Sequence, residues 1–178
     1  MIRRNPSGDY PKIHKTSYID PSAVIIGQVT IGKNVFVGPG AVMRADETKS
    51  SISISDGCNV QDRVIIHALG NSSVIIGEKT SLSHGCIVHG PCKIGQRCFI
   101  GFGSVVFNSC LAEGVFVQFL AVVSGVTIPQ GRIVLDGMVI NTKQKVMGLR
   151  IKTVESKCFA QRVVKANRYL LKGYKREA

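Results

Sequence analysis

A length of 178 residues suits one domain with a substantial apolar core, and 44% hydrophobic against 19% charged residues is a globular balance rather than that of a disordered or membrane chain. The net charge of +12 raises the question of nucleic acid. Eleven Lys or Arg lie in residues 143–177 against two Glu, with no Trp and no nucleic-acid motif, so this excess reads as a solvated basic helix face.

The N-terminal stretch MIRRNPSGDYPKIHKTSYID contains no apolar run, so neither a secretory signal nor a membrane span is expected. A cytoplasmic location is the expectation, with the two early arginines leaving an organelle address open. His14 stands alone in this arm and reads as an inert surface residue.

From Ile19 onward an aliphatic residue recurs every six positions: Ile25, Ile31, Val37 and Met43. The register resumes at Ile54, Val60 and Ile66, and again from Ile76 through Leu82, Val88, Ile94, Ile100 and Val106. After a one-residue slip it continues through Leu111, Val117 and Val123. Four positions after each aliphatic residue stands a small or β-branched one, among them Ala23, Val29, Val35, Ala41, Cys58, Val64, Thr80, Cys86, Cys92, Cys98, Ser104 and Cys110. Two inward side chains per hexad, one large and one small, are the signature of a parallel β-helix. An amphipathic helix would need a 3.6-residue period instead.

Five of the six cysteines fall on the small position and read as buried free thiols. Cys92 and Cys110 would lie on adjacent coils within disulfide reach, yet remain reduced in a cytoplasmic protein. From about residue 153 the period becomes helical. Thr153 is the expected N-cap, Glu155 lies in the first turn, and Phe159, Val163, Ala166 and Leu170 form the apolar face, with Asn167 at its edge. The expected organisation is a single domain, with the β-helix and a short arm over residues 1–150 and the packed helix over 151–178.

Three hexads make one triangular coil, so residues of equivalent hexads stack about 4.8 Å apart. The coils 31/37/43, 54/60/66 and 76/82/88 then align. Arg44, His67 and His89 share one outward column; Gln61 and Ser83 share another, with Asp62 and His84 beside them. Stacked imidazoles at that spacing can aim at one ion with bonds of about 2.0–2.1 Å. His84 cannot join them within one chain, because five extended residues hold it roughly 16 Å from His89. If chains pack side by side as a trimer, the His67/His89 column of one meets the Asp62/His84 column of the next. Three imidazoles plus an open position describe a catalytic metal. Two insertions, ADETKSSIS and ALGNSS, overhang this column, and the first carries Asp46 and Glu47.

The motifs RADE at 44–47, QD at 61–62, IHAL at 66–69, HGCIVHGP at 84–91 and GVTIPQGRIVLDGMVI at 125–140 resemble those of the γ-class carbonic anhydrases. The resemblance covers most of the chain. It implies an all-β left-handed parallel β-helix with one C-terminal helix packed alongside, and a homotrimer with metals shared between subunits. It also implies Zn²⁺ as cofactor, with Fe²⁺ or Co²⁺ as options, since three imidazoles accept all of them. His67, His84 and His89 correspond to the metal ligands and Gln61 to the glutamine beside the metal-bound solvent. Arg44 and Asp62 correspond to a pair bridging subunits, Asp46 to the same network, Glu47 to a proton-transfer carboxylate and Asn167 to a substrate-side asparagine.

The implied reaction is hydration of carbon dioxide to bicarbonate by a metal hydroxide available near neutral pH. Neither nucleic acid nor membrane is an expected partner. The sequence departs from the family where Gly70 and a short NSS turn replace a longer acidic loop with a shuttle glutamate, where Trp is absent, and where Lys165 replaces a Tyr. A slow enzyme follows from those departures. A non-catalytic trimeric scaffold, resembling the first domain of carboxysome assembly proteins, is the alternative; a hexapeptide acyltransferase is the third reading.

Overall fold

Each hexad becomes one short strand and one corner in the computed structural model, which describes residues 1–177. The strands stack into three sheets of eight, seven and eight. The first runs from Ile2–Arg3 to Val139–Ile140, the second from Lys12–Ile13 to Thr127–Ile128, and the third from Tyr18–Ile19 to Arg132–Val134. All pairs are parallel until Arg150–Ile151 closes the third sheet antiparallel to Arg132–Val134. This is a parallel β-solenoid of about seven turns, the left-handed β-helix of hexapeptide repeats. It departs from the right-handed crossover rule.

The corners explain how a coil so tight can turn. Asn34, Arg63, Lys79, Arg97, Asn108 and Leu120 each occupy a left-handed backbone conformation, with φ between 45° and 57°. Between corners only two to four residues per strand pair, and their inward side chains fill a narrow prism. Ile25, Ile31, Met43, Ile54, Ile66, Ile76, Leu82, Ile94 and Ile100 are all fully buried along it. Ile31 pairs with Ile54 and Ile54 with Ile76; Met43 pairs with Ile66 and Ile66 with Val88, as the hexad register requires.

The small positions are buried as well, with one correction. Cys58, Cys86, Cys92 and Cys98 are inside, whereas Cys110 is half-exposed. The slip falls before it, so Ser109 stacks on Cys92, its Oγ donating to the Phe107 carbonyl. Cys110 pairs with Lys93 instead, and every cysteine is a free thiol. Burial pushes the Cys58 and Cys86 thiols up to about 12.

Two helices follow the solenoid. The five-residue α1 (Lys143–Met147), capped by Thr142 at the Lys145 N–H, had no signal in the sequence. The long α2 (Val154–Glu177) begins where Thr153 Oγ1 accepts the Ser156 N–H, as its side chain predicts. Ala178, the last residue of the expected closing segment, lies outside the described residues. No described helix is long and apolar enough to cross a membrane.

The buried face of α2 differs from the expected one. Phe159, Ala160, Val163, Asn167 and Leu171 face the solenoid, while Ala166 and Leu170 are exposed. The face is set by the aromatic column it meets on the third sheet. Phe159 packs edge-on against the stacked pair Phe99–Phe116, and Tyr174 stacks on Tyr18 and Phe36. Burying a ring such as Phe99 contributes about 2–3 kcal/mol.

The outward face of the first sheet is built otherwise. Val24, Val42, Ile65, Ile87, Val105, Val122 and Val139 form one continuous column, and no described helix packs over it. Ile65 is 42% exposed and Val139 46%. A contiguous apolar strip of this kind marks a contact surface.

Candidate metal centre

The histidines stand at the end of strands Ile65–His67 and Ile87–His89, on the corner side of that apolar face. Strand pairing aligns Arg44 with His67 and His67 with His89, so the three side chains leave adjacent strands in one direction. The two imidazoles meet edge to face, with His67 Nδ1 3.0 Å from His89 Nε2. Phe107, next in the column, lies against His89 with ring centroids 5.5 Å apart.

Both inserted loops close over His67. Glu47 Oε2 accepts the Gly70 N–H at 2.7 Å, and the Asn71 N–H reaches the Thr48 carbonyl, so the second loop is tied to the first. This brings Glu47 Oε1 to 3.5 Å and Asp46 Oδ1 to 3.6 Å from His67 Nε2. Arg44 donates from Nε to Asp46 Oδ2 at 3.0 Å, which fixes that carboxylate. Arg44 therefore pairs inside its own chain here, with Asp46.

On the other corner of the sheet, His84 is half-exposed and its Nδ1 lies 3.3 Å from Asp62 Oδ2. Phe102 stacks on the His84 ring at 5.5 Å and Phe119 on Phe102 at 4.6 Å. Two glycines allow this corner. Gly38 must lack a side chain, because a Cβ there would meet Asp62 Oδ1 at 2.5 Å, and Gly85 turns the chain after His84 at φ 68°. Gln61, one residue before Asp62, is buried with its Oε1 unpartnered, as is the Oγ of its column mate Ser83. Asn167 sits apart from these groups on α2, donating to the Val163 carbonyl at 2.9 Å, and is buried rather than at the helix edge.

The donor set suits a cation. His67 Nε2 and Asp46 Oδ1 are both buried without a hydrogen-bond partner, and such groups cost roughly 1–3 kcal/mol each when left so. Two imidazoles sharing one N–N contact, with two carboxylates behind them, present lone pairs that need a proton or a metal between them. Among the described residues no three His, Cys, Asp or Glu stand close enough to hold a metal by themselves. His67 and His89 stand together on one corner of the sheet, and His84 stands on the other beside Asp62.

Residues 10–45 and 73–108 match the family described as bacterial transferase hexapeptide (six repeats). The chain is 36% identical over 193 residues to the carbonic anhydrase of Methanosarcina thermophila, an alignment covering 96% of this chain and 77% of that one. The chain belongs to the hexapeptide-repeat family and is a homologue of a γ-class carbonic anhydrase. It is also 34% identical over 173 residues to the carboxysome assembly protein CcmM of Nostoc sp., covering 92% of this chain but 31% of that protein. This hexapeptide-repeat chain thus spans about a third of that relative's length. A crystal structure of a hexapeptide transferase family protein from Anaplasma phagocytophilum superposes with a TM-score of 0.82 at 27% identity, covering 98% of each chain.

For this homologue of a carbonic anhydrase, two contacts at the site escaped the sequence reading. Phe107 lies one coil beyond His89 and Phe102 beside His84, both in reach of the same hexad register carried one coil further. Their signal was present in the repeat itself.

Proposed function

We propose that the chain is a metal-dependent carbonic anhydrase that interconverts carbon dioxide and bicarbonate at sites shared between the subunits of a homotrimer. One observation carries this reading: His67 and His89 form a half-site with an unpartnered buried nitrogen, while His84 stands on the opposite corner of an uncovered apolar face. Three-fold packing of such faces brings the two halves together. The homology to a carbonic anhydrase over nearly the whole chain supports the same reading.

His67 and His89 of one subunit and His84 of the next would hold a zinc, iron(II) or cobalt(II) ion. A divalent cation so held acidifies water and supplies a nucleophile for carbon dioxide at neutral pH. The chain's own residues do the rest. Asp46, clamped by Arg44, stands behind His67, its Oδ1 3.6 Å from the ring Nε2. The unpartnered Oε1 of Gln61 is free to accept a hydrogen bond from water and orient it. Phe102 and Phe107 give the apolar substrate a dry wall. Glu47, fixed by Gly70 yet 45% exposed, connects His67 to solvent and carries the proton away. Asp62 orients His84, and Asn167 lies on the helix that packs on the third sheet.

The test is metal analysis with a carbon dioxide hydration assay on anaerobically purified protein. The expected result is about one metal per chain, with hydration abolished in His67→Ala while the trimer persists. Protein with no metal and no hydration contradicts the reading. Alignment of 92% of the chain with a carboxysome assembly protein favours one second reading, a trimeric scaffold. Stoichiometric metal without hydration under reducing conditions would select it.

A further inference from the structure

Between α2 and the solenoid, on the corner joining the second and third sheets, lies a cavity of about 740 Å³. None of the candidate metal-centre residues lines it. Its wall carries Lys79, Arg97, Lys152, Lys157, Lys165 and Arg168 against a single carboxylate, Glu113. Glu113 is already committed to Arg97 and Gln96. Lys79, Lys157, Lys165 and Arg168 form no ion pair among the described residues.

The space is built rather than left over. Successive corners at this edge carry Lys79, Arg97, Gly114 and Gly131, all in the left-handed conformation. The two glycines remove the side chains that the earlier coils place there, and Lys152 fills the gap. Its backbone N–H donates to the Gly131 carbonyl, and its Nζ donates to the Gly114 carbonyl at 2.7 Å. A Cβ at position 114 would come within 2.7 Å of that Nζ, so the glycine is what admits the ammonium. Lys152 is thereby pinned across two corners, with one of its three N–H donors engaged. From the other side α2 contributes Lys157, Lys165 and Arg168 around a short apolar strip of Ala160 and Val164.

We propose that this cavity is a binding site for a small molecule carrying two or more phosphate groups. The volume falls in the range of small-ligand pockets, about 300–1,000 Å³. So many cations facing one another repel unless anions enter, and a single carboxylate would leave most of them unmatched. Lys supplies compact point charges for phosphate oxygens, and Arg168 adds a planar fork able to grip one phosphate at two oxygens. Ala160 and Val164 accommodate the carbon skeleton between phosphates. Because the cavity is walled by α2 on one side and by the corners on the other, its ligand ties the helix to the solenoid.

Isothermal titration of the whole protein with fructose 1,6-bisphosphate, a probe that leaves bound metal in place, tests this at physiological salt. One saturable site per chain is expected, with affinity at least about tenfold above that of fructose 6-phosphate. The exposed double variant Lys165→Glu/Arg168→Glu should lose that binding by tenfold or more, about 1.4 kcal/mol. Lys172→Glu/Arg176→Glu, on the same helix outside the cavity, should retain it. Equal loss in the two double variants would reduce the effect to diffuse charge and overturn the proposal. So would equal affinity for the monophosphate, or binding of short RNA by a protein that ignores the bisphosphate.

Discussion

Two faces of one solenoid, built from the same hexads, end in opposite ways. The third sheet carries Tyr18, Phe36, Phe99 and Phe116 outward and covers them with α2 of its own chain. The first sheet carries an unbroken column of Val and Ile outward, with Phe102 and Phe107 at its corners, where Asn59 and Ser81 interrupt the aromatics of the third; no described helix covers it. A β-helix must bury what its strands leave apolar, whether by its own chain or by another copy. The difference locates the chemistry. The histidines line the face left open, on its two opposite corners, and under the proposed function a second copy brings them together.

The comparison can be broken from the metal side first. His67→Ala should reduce hydration more than about 100-fold, since even groups behind a metal ligand cost 10–100-fold, while light scattering still reports trimers. Next comes the open face. Ile65→Glu should convert trimers to monomers by placing a charge in an apolar contact, and metal should be lost with the trimer. A monomer that keeps its metal would show that the face has no part in the site.

The covered face answers to stability instead. Phe99→Ala removes a fully buried ring under α2 and should cost about 3–5 kcal/mol in chemical denaturation. Thr153→Ala at the start of α2 should cost about 1 kcal/mol, with activity unchanged.

Alkaline pH probes the interior between the faces. Burial raises the Cys58 and Cys86 thiols to about 12, from 9.0 unfolded, so the folded state holds their protons longer than the unfolded chain does. Stability should be fully present below about pH 9 and fall as pH rises toward 12. Native labelling at pH 8 should modify exposed Cys158 and spare both buried thiols.

Much of this was legible in the sequence because a hexad repeat leaves little freedom. The pairings Arg44–His67–His89 and Val37–Val60–Leu82 follow from counting alone, since every strand stacks in register. Counting failed where the repeat slips. Cys110 looked like an inward residue, but the missing residue before it hands that place to Ser109. It also failed outside the repeat. The α1 turn and the antiparallel Arg150–Ile151 strand carry too few residues to show a period. The face of α2 was misread because 3.6-residue spacing permits several stripes, and the aromatic column beneath it chose the one through Asn167 and Leu171. Within the site, Asp46 and Glu47 could be named from their loop. Their approach to His67 depends on the Glu47–Gly70 hydrogen bond between two insertions, which no periodicity encodes.

The central claim is that each metal is held by His67 and His89 of one subunit and His84 of another. Subunit mixing tests it directly. His67→Ala and His84→Ala trimers should each be metal-free and inactive. Unfolded together in equal amounts and reassembled, they form mixed trimers, in each of which one interface has all three histidines. About a quarter of the wild-type metal and hydration rate should return, because three-quarters of the trimers are mixed and each holds one intact site of three. Mixed trimers that remain without metal and without activity would contradict a site shared between subunits.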